Sequence, residues 1–581
     1  MDAAIKIGGV VLLAVFLWGA YYFGLPTMAF GYLGIPLTIL FSGGILLLVN
    51  RYVGIAGIVI GFLAITILPL MTSWSAWNSN EYYNMIGEVE ESVFSQDITP
   101  VDISQMRIVD QSVAERIGEK RLGEDIALGS RARLGTFRIQ QVNNELYWVA
   151  PVVHSGFFKW RKFRTTPGYV MVSASNPREV KYVTEVAGKK INLRYQPQSA
   201  FADDLYRHVY SNGYMSQGRT DYTFEIDDNM NPFWVVTIFE KKVGFFGGDA
   251  TAVAVVDAQT GDIQKYAIAD APAWIDRIQP KSFVETQLND WGKFTNGWWN
   301  QWIFGPKDGV LKATPGTSLV YGADGRSYWY TGISSRGTDN STVGFMLVDT
   351  RTKKAHWYKQ PGATEEQAMI SATGKVQEKG YDASYPVLYN VAGLPTYVMA
   401  LKDNAGLIKM ISMVSVEDYG IVGVGDNVKD ALRSYRSELA SKGNAIAPDG
   451  AVQNFTQSGE IIRFGMDVRD NKAYYYIVLD NTSGKIFVAS SDLSPKIPVT
   501  SIGDSVILEF SDGGSGVIDL SGFDNTDISI AVTENQGDVE ARFKRAKTEK
   551  QTRRDANDAD GAWDNLSDEE KAKMLDSFKQ K

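Results

Sequence analysis

Apolar and polar positions follow three rhythms along this chain, and each predicts a different architecture. The chain opens with three unbroken apolar runs, Ile7–Phe23, Met28–Val49 and Tyr52–Met71, none holding an internal charge. Each approaches the ~20 residues a helix needs to cross a hydrocarbon core of ~30 Å, so residues 1–76 are expected to form a three-helix transmembrane anchor. A cleaved signal peptide would account for the first run alone. Two further runs follow at once, however, with no small-x-small cleavage site between them. Lys6 and Arg51 are the basic residues beside these runs, and Glu81, Glu88, Glu90 and Glu91 follow the third. Because basic flanks favour the cytoplasmic side, everything after Met71 is expected to be extracytoplasmic. Trp74, Trp77, Tyr82 and Tyr83 would form the outer aromatic belt. Gly54, Gly57 and Gly61 permit close helix packing.

From about residue 100 the rhythm changes to a helical period followed by strands, and this recurs four times. In the first unit (77–190), Val113, Ile117 and Leu122 share a helix face, followed by strands 145–152, 168–174 and 179–184 with a turn at Asn176-Pro177. The second (191–275) has Phe201, Leu205 and Val209 on one face, a stop at Asn212-Gly213, and strands 232–239, 251–256 and 262–268. The third (276–360) opens on a capping box from Ser282 to Glu285, then Val284, Leu288 and Trp291, then strands 327–332, 343–348 and 354–358. The fourth (361–445) opens on a box from Thr364 to Gln367, closes its helix at Gly380, and continues in strands 395–401 and 407–415; a further helix is expected around Val428–Leu439. The spacing is too long and irregular for a solenoid, so duplicated α+β modules are expected.

In the third rhythm, short strands at 460–468, 473–479, 485–490, 504–510 and 515–520 predict a small β-barrel over 446–535. An OB-like fold would suit these five strands, and Tyr474, Tyr475, Tyr476 and Phe487 could then stack bases, although basic residues there are few. The alternative is that these aromatics pack a core. Residues 536–581 segregate their charge: Arg542, Lys544, Arg545, Lys547, Lys550, Arg553 and Arg554 precede an acidic block from Asp555 to Glu570. So little apolar surface predicts a flexible tail, either a solvating tether or a docking segment.

The stretch AVAVVDAQTGDIQKYAI in the second unit, with Asp257, Thr260 and Gly261 in its turn, resembles the closing hairpin of the PepSY module; VGFMLVDTRTKKAHWY in the third echoes it. The resemblance implies a helix packed on a short antiparallel sheet, and an extracytoplasmic, non-catalytic module that binds or restrains a partner. The block from Gly362 through Met410 also resembles an uncharacterised group of membrane-anchored proteins from bacteria, their phages and plasmids.

Composition narrows the chemistry. The 581 residues contain no Cys, which removes disulfides, thiolate catalysis and Cys-ligated metals. A formal net charge of −9 argues against a surface that tracks nucleic acid throughout. His154, His208 and His356 fall in different units without metal-ligand spacing, and no phosphate-cradling loop or nucleophile elbow occurs. Asp227, Asn229 and Asn231 imitate half a calcium loop, but Pro232 and Ile238 occupy the turn and bidentate positions. No metal or cofactor is expected. A carboxylate-based hydrolase is the weakest reading, because no carboxylate pair can be matched across strands by spacing.

The most unusual local composition is DWGKFTNGWWNQWIFG, with Trp291, Trp298, Trp299 and Trp302. These tryptophans would form either a core wedge between units or a surface for a partner protein, a second copy in a homo-oligomer, or the membrane. The leading expectation is a non-enzymatic binding or assembly protein, anchored in the lipid bilayer of the inner or plasma membrane, that docks partner polypeptides at the cell envelope. The alternative is a membrane-tethered nucleic-acid-binding protein using the barrel with Arg542, Lys544, Arg545, Lys547, Arg553 and Arg554. That alternative requires the distal part to be cytoplasmic.

Overall fold

The computed structural model describes residues 2–94, 106–124, 129, 131–302, 304–322, 325–335, 341–391, 393–441, 454–469, 472–482, 484–491, 493–511 and 517–529. Contacts divide the chain into one unit of Met1–Asn454 with 511–513, and another of Phe455–Phe510 with Gly514–Lys581.

Three apolar helices lead: α1 (Asp2–Gly19, continuing as a wider turn to Gly24), α2 (Gly34–Leu46) and α3 (Arg51–Ser73). By length and composition, Ala4–Gly24 and Arg51–Ser73 could each cross a membrane, as an anchor or, for the first, as a signal sequence. The expected second span is not a full-length helix. Its 13 residues reach only about 20 Å at about 1.5 Å per residue. The shortening has a local cause. Residues before Gly34 are drawn into the folded body, where Met28 N–H donates to Met215 O at 2.9 Å and Tyr32 Oη to Phe239 O at 2.9 Å. Gly43 and Gly57 let α2 and α3 touch backbone to backbone, since a Cβ on Gly57 would lie 2.9 Å from Gly43 Cα. The expected small-residue contact is thus made within this one chain.

Gly9 of α1 lies against Val49, so Lys6 and Arg51 share the end of the helices remote from the sheets. At the other end, Arg207 Nε donates to Tyr22 O at 2.9 Å and Arg219 Nη2 to Leu25 O at 3.3 Å. These guanidiniums satisfy carbonyls that a helix end leaves without partners.

Among the described residues, four sheets of four or more strands follow, besides the barrel and two two-stranded ribbons, and alternation along their strands explains how they stack. In the first sheet the strand Glu145–His154 lies beside Tyr169–Ser173. Tyr147, Val149, Tyr169 and Met171 enter a core with Leu205, Phe224, Trp234 and Val236 of the second unit. Their neighbours Trp148, Ala150, Val170 and Val172 enter a different core, with Val113, Val284, Leu288, Trp329 and Trp357. The third sheet repeats the device: Trp329, Met346 and Val348 face the first unit, while Tyr330, Phe345 and Leu347 join Ala368, Tyr397, Met413 and Tyr435 of the fourth. The packing order is therefore second, first, third, fourth. Both faces of the inner sheets are covered, which is why burial along Glu145–His154 is almost unbroken from Tyr147 onward. Burying each large side chain contributes about 1.5–3 kcal/mol. The modules share cores instead of each closing its own.

Helix starts follow sequence chemistry with one correction. Thr364 caps Glu365–Lys375 by accepting from Gln367 N–H at 3.2 Å, and Asp110 caps Gln111–Gly123 through Val113 N–H at 3.0 Å. The expected box at Ser282 does not form. The helix Lys281–Lys293 starts earlier, after Pro280, with no side-chain cap. Proline's fixed φ and missing N–H suit it to this boundary.

Additional strands complete the sheets. Val89–Ser92 runs parallel to Ala355–Tyr358, bringing the acidic segment after α3 onto the third sheet, with Glu91 Oε1 2.5 Å from Lys359 Nζ. In the compact unit that begins at Phe455, strands Asn454–Arg469, Lys472–Leu479, Ile486–Ser490, Val517–Asn525 and Ser505–Ser511 follow one another in that spatial order and close. Ile461 N–H donates to Asp504 O, and Gly503 N–H to Ile461 O, across the closure. Tyr475, Ile477, Leu479 and Phe487 fill its interior.

Candidate functional site

The site is built where α3 ends. Ser73 is its last residue, and Trp74 turns extended before α4 (Ser75–Asn84). The carbonyls left open by α3 are taken up by α4: Asn78 Nδ2 donates to Thr72 O at 3.2 Å, and Tyr82 Oη to Ser73 O at 2.8 Å. Ser73 Oγ in turn accepts from Phe245 N–H at 2.8 Å, tying the helix to a hairpin turn of the second sheet. That turn needs Gly244. Its φ is +57, and a Cβ there would meet Ser73 Oγ at 2.5 Å.

Against this junction lies the short helix Gly297–Gln301, which carries Trp298 and Trp299. Its base is locked by Asn300, whose Nδ2 donates to Asp308 O at 2.8 Å and whose Oδ1 accepts from Asp308 N–H at 3.0 Å. Trp298 meets Trp74 edge-on at 6.2 Å, Trp299 at 4.9 Å and Trp302 at 4.5 Å; Trp74 meets Trp77 at 4.7 Å. The structure thus joins three of the four expected tryptophans to two of the expected belt. The outer edge of this plate is open, with Trp299 74%, Trp77 65% and Phe304 90% exposed. Trp291 is not part of it. It packs 5.8 Å from Trp357, beside the core between the first and third units.

Under the plate is a cleft of about 470 Å³ lined by Pro69, Leu70, Trp74, Tyr82, Phe246, Phe294, Asp290 and Lys293. Burial pushes the Asp290 carboxyl up to about 6, against the opposing pull of Lys293. Burial likewise raises the Tyr82 phenol to about 12, with Asp290 adding to the shift. One acid, one amine and one phenol in an apolar hollow can bind an apolar segment carrying a donor. Asp290 and Phe246 could not be read as site residues from the sequence, because only the tertiary fold brings a sheet hairpin beside α3. Their one local signal was that Asp290 and Lys293 flank Trp291.

The other candidates are dispersed. His154 is buried, His208 Nε2 bonds Gly261 O at 2.7 Å, and His356 Nδ1 lies 3.1 Å from Ser92 Oγ. Among the described residues, no group of three His, Asp or Glu could hold a metal. Asp227 closes a hairpin turn, accepting from Asn229 N–H at 3.0 Å and Asn231 N–H at 2.7 Å. Arg542, Lys544, Arg545, Lys547, Arg553 and Arg554 lie outside the described residues.

No known family matches this chain, and no curated protein does. Among solved structures, the C-terminal domain of Bacillus megaterium YpeB is 12% identical, over a match covering 38% of this chain and 90% of that domain. The TM-score is 0.10, and a likeness at that level carries no argument.

Proposed function

We propose that this chain is a non-enzymatic, membrane-anchored, extracytoplasmic binding or assembly protein that docks a partner polypeptide at the cell envelope. The observation that carries this reading is the aromatic plate. Rigidly held, outward-facing tryptophans concentrate apolar area with a hydrogen-bond donor at the edge, the composition of an interface hot spot. Its place beside the end of α3, over an apolar cleft with a single half-buried acid, suits a partner segment that skirts or crosses the same membrane. Helices packed on antiparallel sheets support a PepSY-like reading of the modules. Three crossings, with α2 completed by its flanking turns, would put Lys6 and Arg51 inside and the sheets outside. Replacing tryptophan by a photo-crosslinking residue at Trp299 in cells is expected to capture a partner polypeptide, and Trp298→Ala with Trp299→Ala to abolish its co-purification. Undiminished co-purification with both variants would refute the plate as the docking surface.

The barrel favours one alternative. Its ring of five strands, with Ile486–Ser490 parallel to Val517–Asn525, supports an OB-like reading, and such rings serve single-stranded nucleic acid elsewhere. Tyr475 and Phe487 are committed to the barrel's interior, leaving the half-buried Tyr474 and Tyr476 as stacking candidates. This second reading requires a cytoplasmic barrel and a steep salt dependence of binding.

A further inference from the structure

A second cleft, remote in sequence from the aromatic plate, combines exposed phenylalanines with guanidinium groups beside the end of α1. The helix Phe157–Phe163 has the sequence FFKWRKF. Trp160 is its buried pin: the indole N–H donates to Asp203 Oδ2 at 3.2 Å. Arg194 Nε donates to Asp203 Oδ1 at 2.8 Å, and the Arg164 guanidinium lies 4.3 Å over the Trp160 ring. Asp203, the single acid lining the cleft, is thereby neutralised and buried. What remains exposed is one-sided. Phe157, Phe158 and Phe201 are 45%, 79% and 51% exposed, and Arg161, Lys162 and Arg164 stand beside them. Neither Arg161 nor Lys162 is engaged by an acid among the described residues. The cleft has a volume of about 530 Å³.

Its position relative to α1 is fixed by Arg207. That side chain donates from Nη1 to Phe201 O at 2.6 Å and from Nε to Tyr22 O at 2.9 Å, with its guanidinium 4.2 Å over the Tyr22 ring. Tyr22 belongs to the last turn of the apolar segment Ala4–Gly24. Phe201 therefore stands beside the end of this segment, with the Phe157 ring 6.1 Å from its own.

We infer that this cleft binds the headgroup of an anionic phospholipid, with Phe157, Phe158 and Phe201 entering the acyl boundary and Arg161, Arg164 and Arg194 meeting the phosphate. The inference rests on the reading that α1 crosses a membrane. Charge complementarity selects the ligand: aromatic residues seek the lipid–water boundary, while clustered guanidiniums bind phosphate oxygens bidentately. A zwitterionic lipid offers the same acyl chains without net charge.

The test uses the full chain in a neutral detergent, with bound lipid counted by native mass spectrometry. Dioleoyl phosphatidylglycerol, dioleoyl phosphatidylcholine and inorganic phosphate serve as probes. Phosphatidylglycerol is expected to be retained in preference to phosphatidylcholine, and phosphate is expected not to displace it. Each cation near an anionic surface is worth roughly fivefold in binding, so Arg161→Glu with Lys162→Glu should lower retention at least about tenfold. Phe158→Ser should lower retention of both lipids. Equal retention of the two lipids by the wild type, undiminished retention by the charge-reversed variant, or displacement by phosphate would overturn the inference. Carbonate extraction separates it from the anchor reading: release of the wild-type chain from membranes defeats the anchor, whereas a chain that stays but shows no lipid preference defeats only this cleft.

Discussion

Glu225 should make the protein more stable in mild acid than at neutral pH, the reverse of what a well-paired carboxylate does. It is fully buried on the strand Gly218–Ile226, where the first three units converge. Its nearest cation, Arg277 Nη2, is 3.7 Å away, and Thr223 Oγ1 donates to it at 3.0 Å. Asp276 lies beside it, holding Gln141 N–H and Tyr321 Oη at 2.8 Å each. Burial outweighs Arg277 and pushes Glu225 from 4.5 up to about 7. Because the folded-state value is raised, the native protein binds more protons than the unfolded chain between those limits. Stability is then greatest below about 4.5 and falls as pH rises toward about 7. At about 1.4 kcal/mol per pKa unit the full excursion is ~3 kcal/mol. Glu225→Gln keeps an oxygen for Thr223 and Arg277 but removes the proton, so its stability should lose that part of the slope. Asp276 and Asp290, each pushed up to about 6 by burial, contribute to the slope that remains. Apparent unfolding midpoints of both proteins between pH 5 and 8 provide the assay. Superimposable pH profiles, or a wild type that gains stability from pH 5 to 8 relative to the variant, would refute the reasoning.

Two further pairs of substitutions test the packing. Gly57→Ile should force α2 from α3, costing about 1–3 kcal/mol by overpacking and increasing proteolysis of the extracted protein. Gly44→Ala, whose added Cβ meets nothing within 4 Å, should leave proteolysis unchanged. Trp291→Ala should destabilise the folded chain by about 1–3 kcal/mol, as truncation of a half-buried side chain at the edge of a core, read as a lower unfolding midpoint. Trp299→Ala should barely move that midpoint, because Trp299 is 74% exposed.

The sequence revealed those elements whose periodicity is set by burial on a single helix face or by long alternating strands. Val113 and Leu122, and Val284 and Leu288, occupy the buried helix faces expected of them. It did not reveal Gly218–Ile226, Ser318–Tyr321 or Val387–Val391: each pairs with the strand that follows it, but polar residues such as Arg219, Asp221, Ser318 and Asn390 interrupt its apolar pattern. Nor could it show that Trp148 and Tyr147 belong to different cores, since alternation identifies two faces without naming what covers them. The same limit divided the tryptophans. Trp291 sits one helix turn from Leu288 and follows it toward the core, whereas Asn296 and Gly297 break the helix and turn Trp298, Trp299 and Trp302 to the end of α3. The cleft was illegible because Phe246, Asp290 and Tyr82 come from three elements joined only by tertiary packing.

Which side of the membrane the sheets occupy can be measured by labelling, because the chain has no cysteine of its own. Single cysteines placed at Arg51, at the exposed Tyr419 and at the exposed Ile502 would be challenged in intact cells with a membrane-impermeant maleimide. With the sheets outside, labelling is expected at positions 419 and 502, and at 51 only after permeabilisation. Labelling at 51 in intact cells, with 419 and 502 protected until the membrane is opened, would contradict that placement.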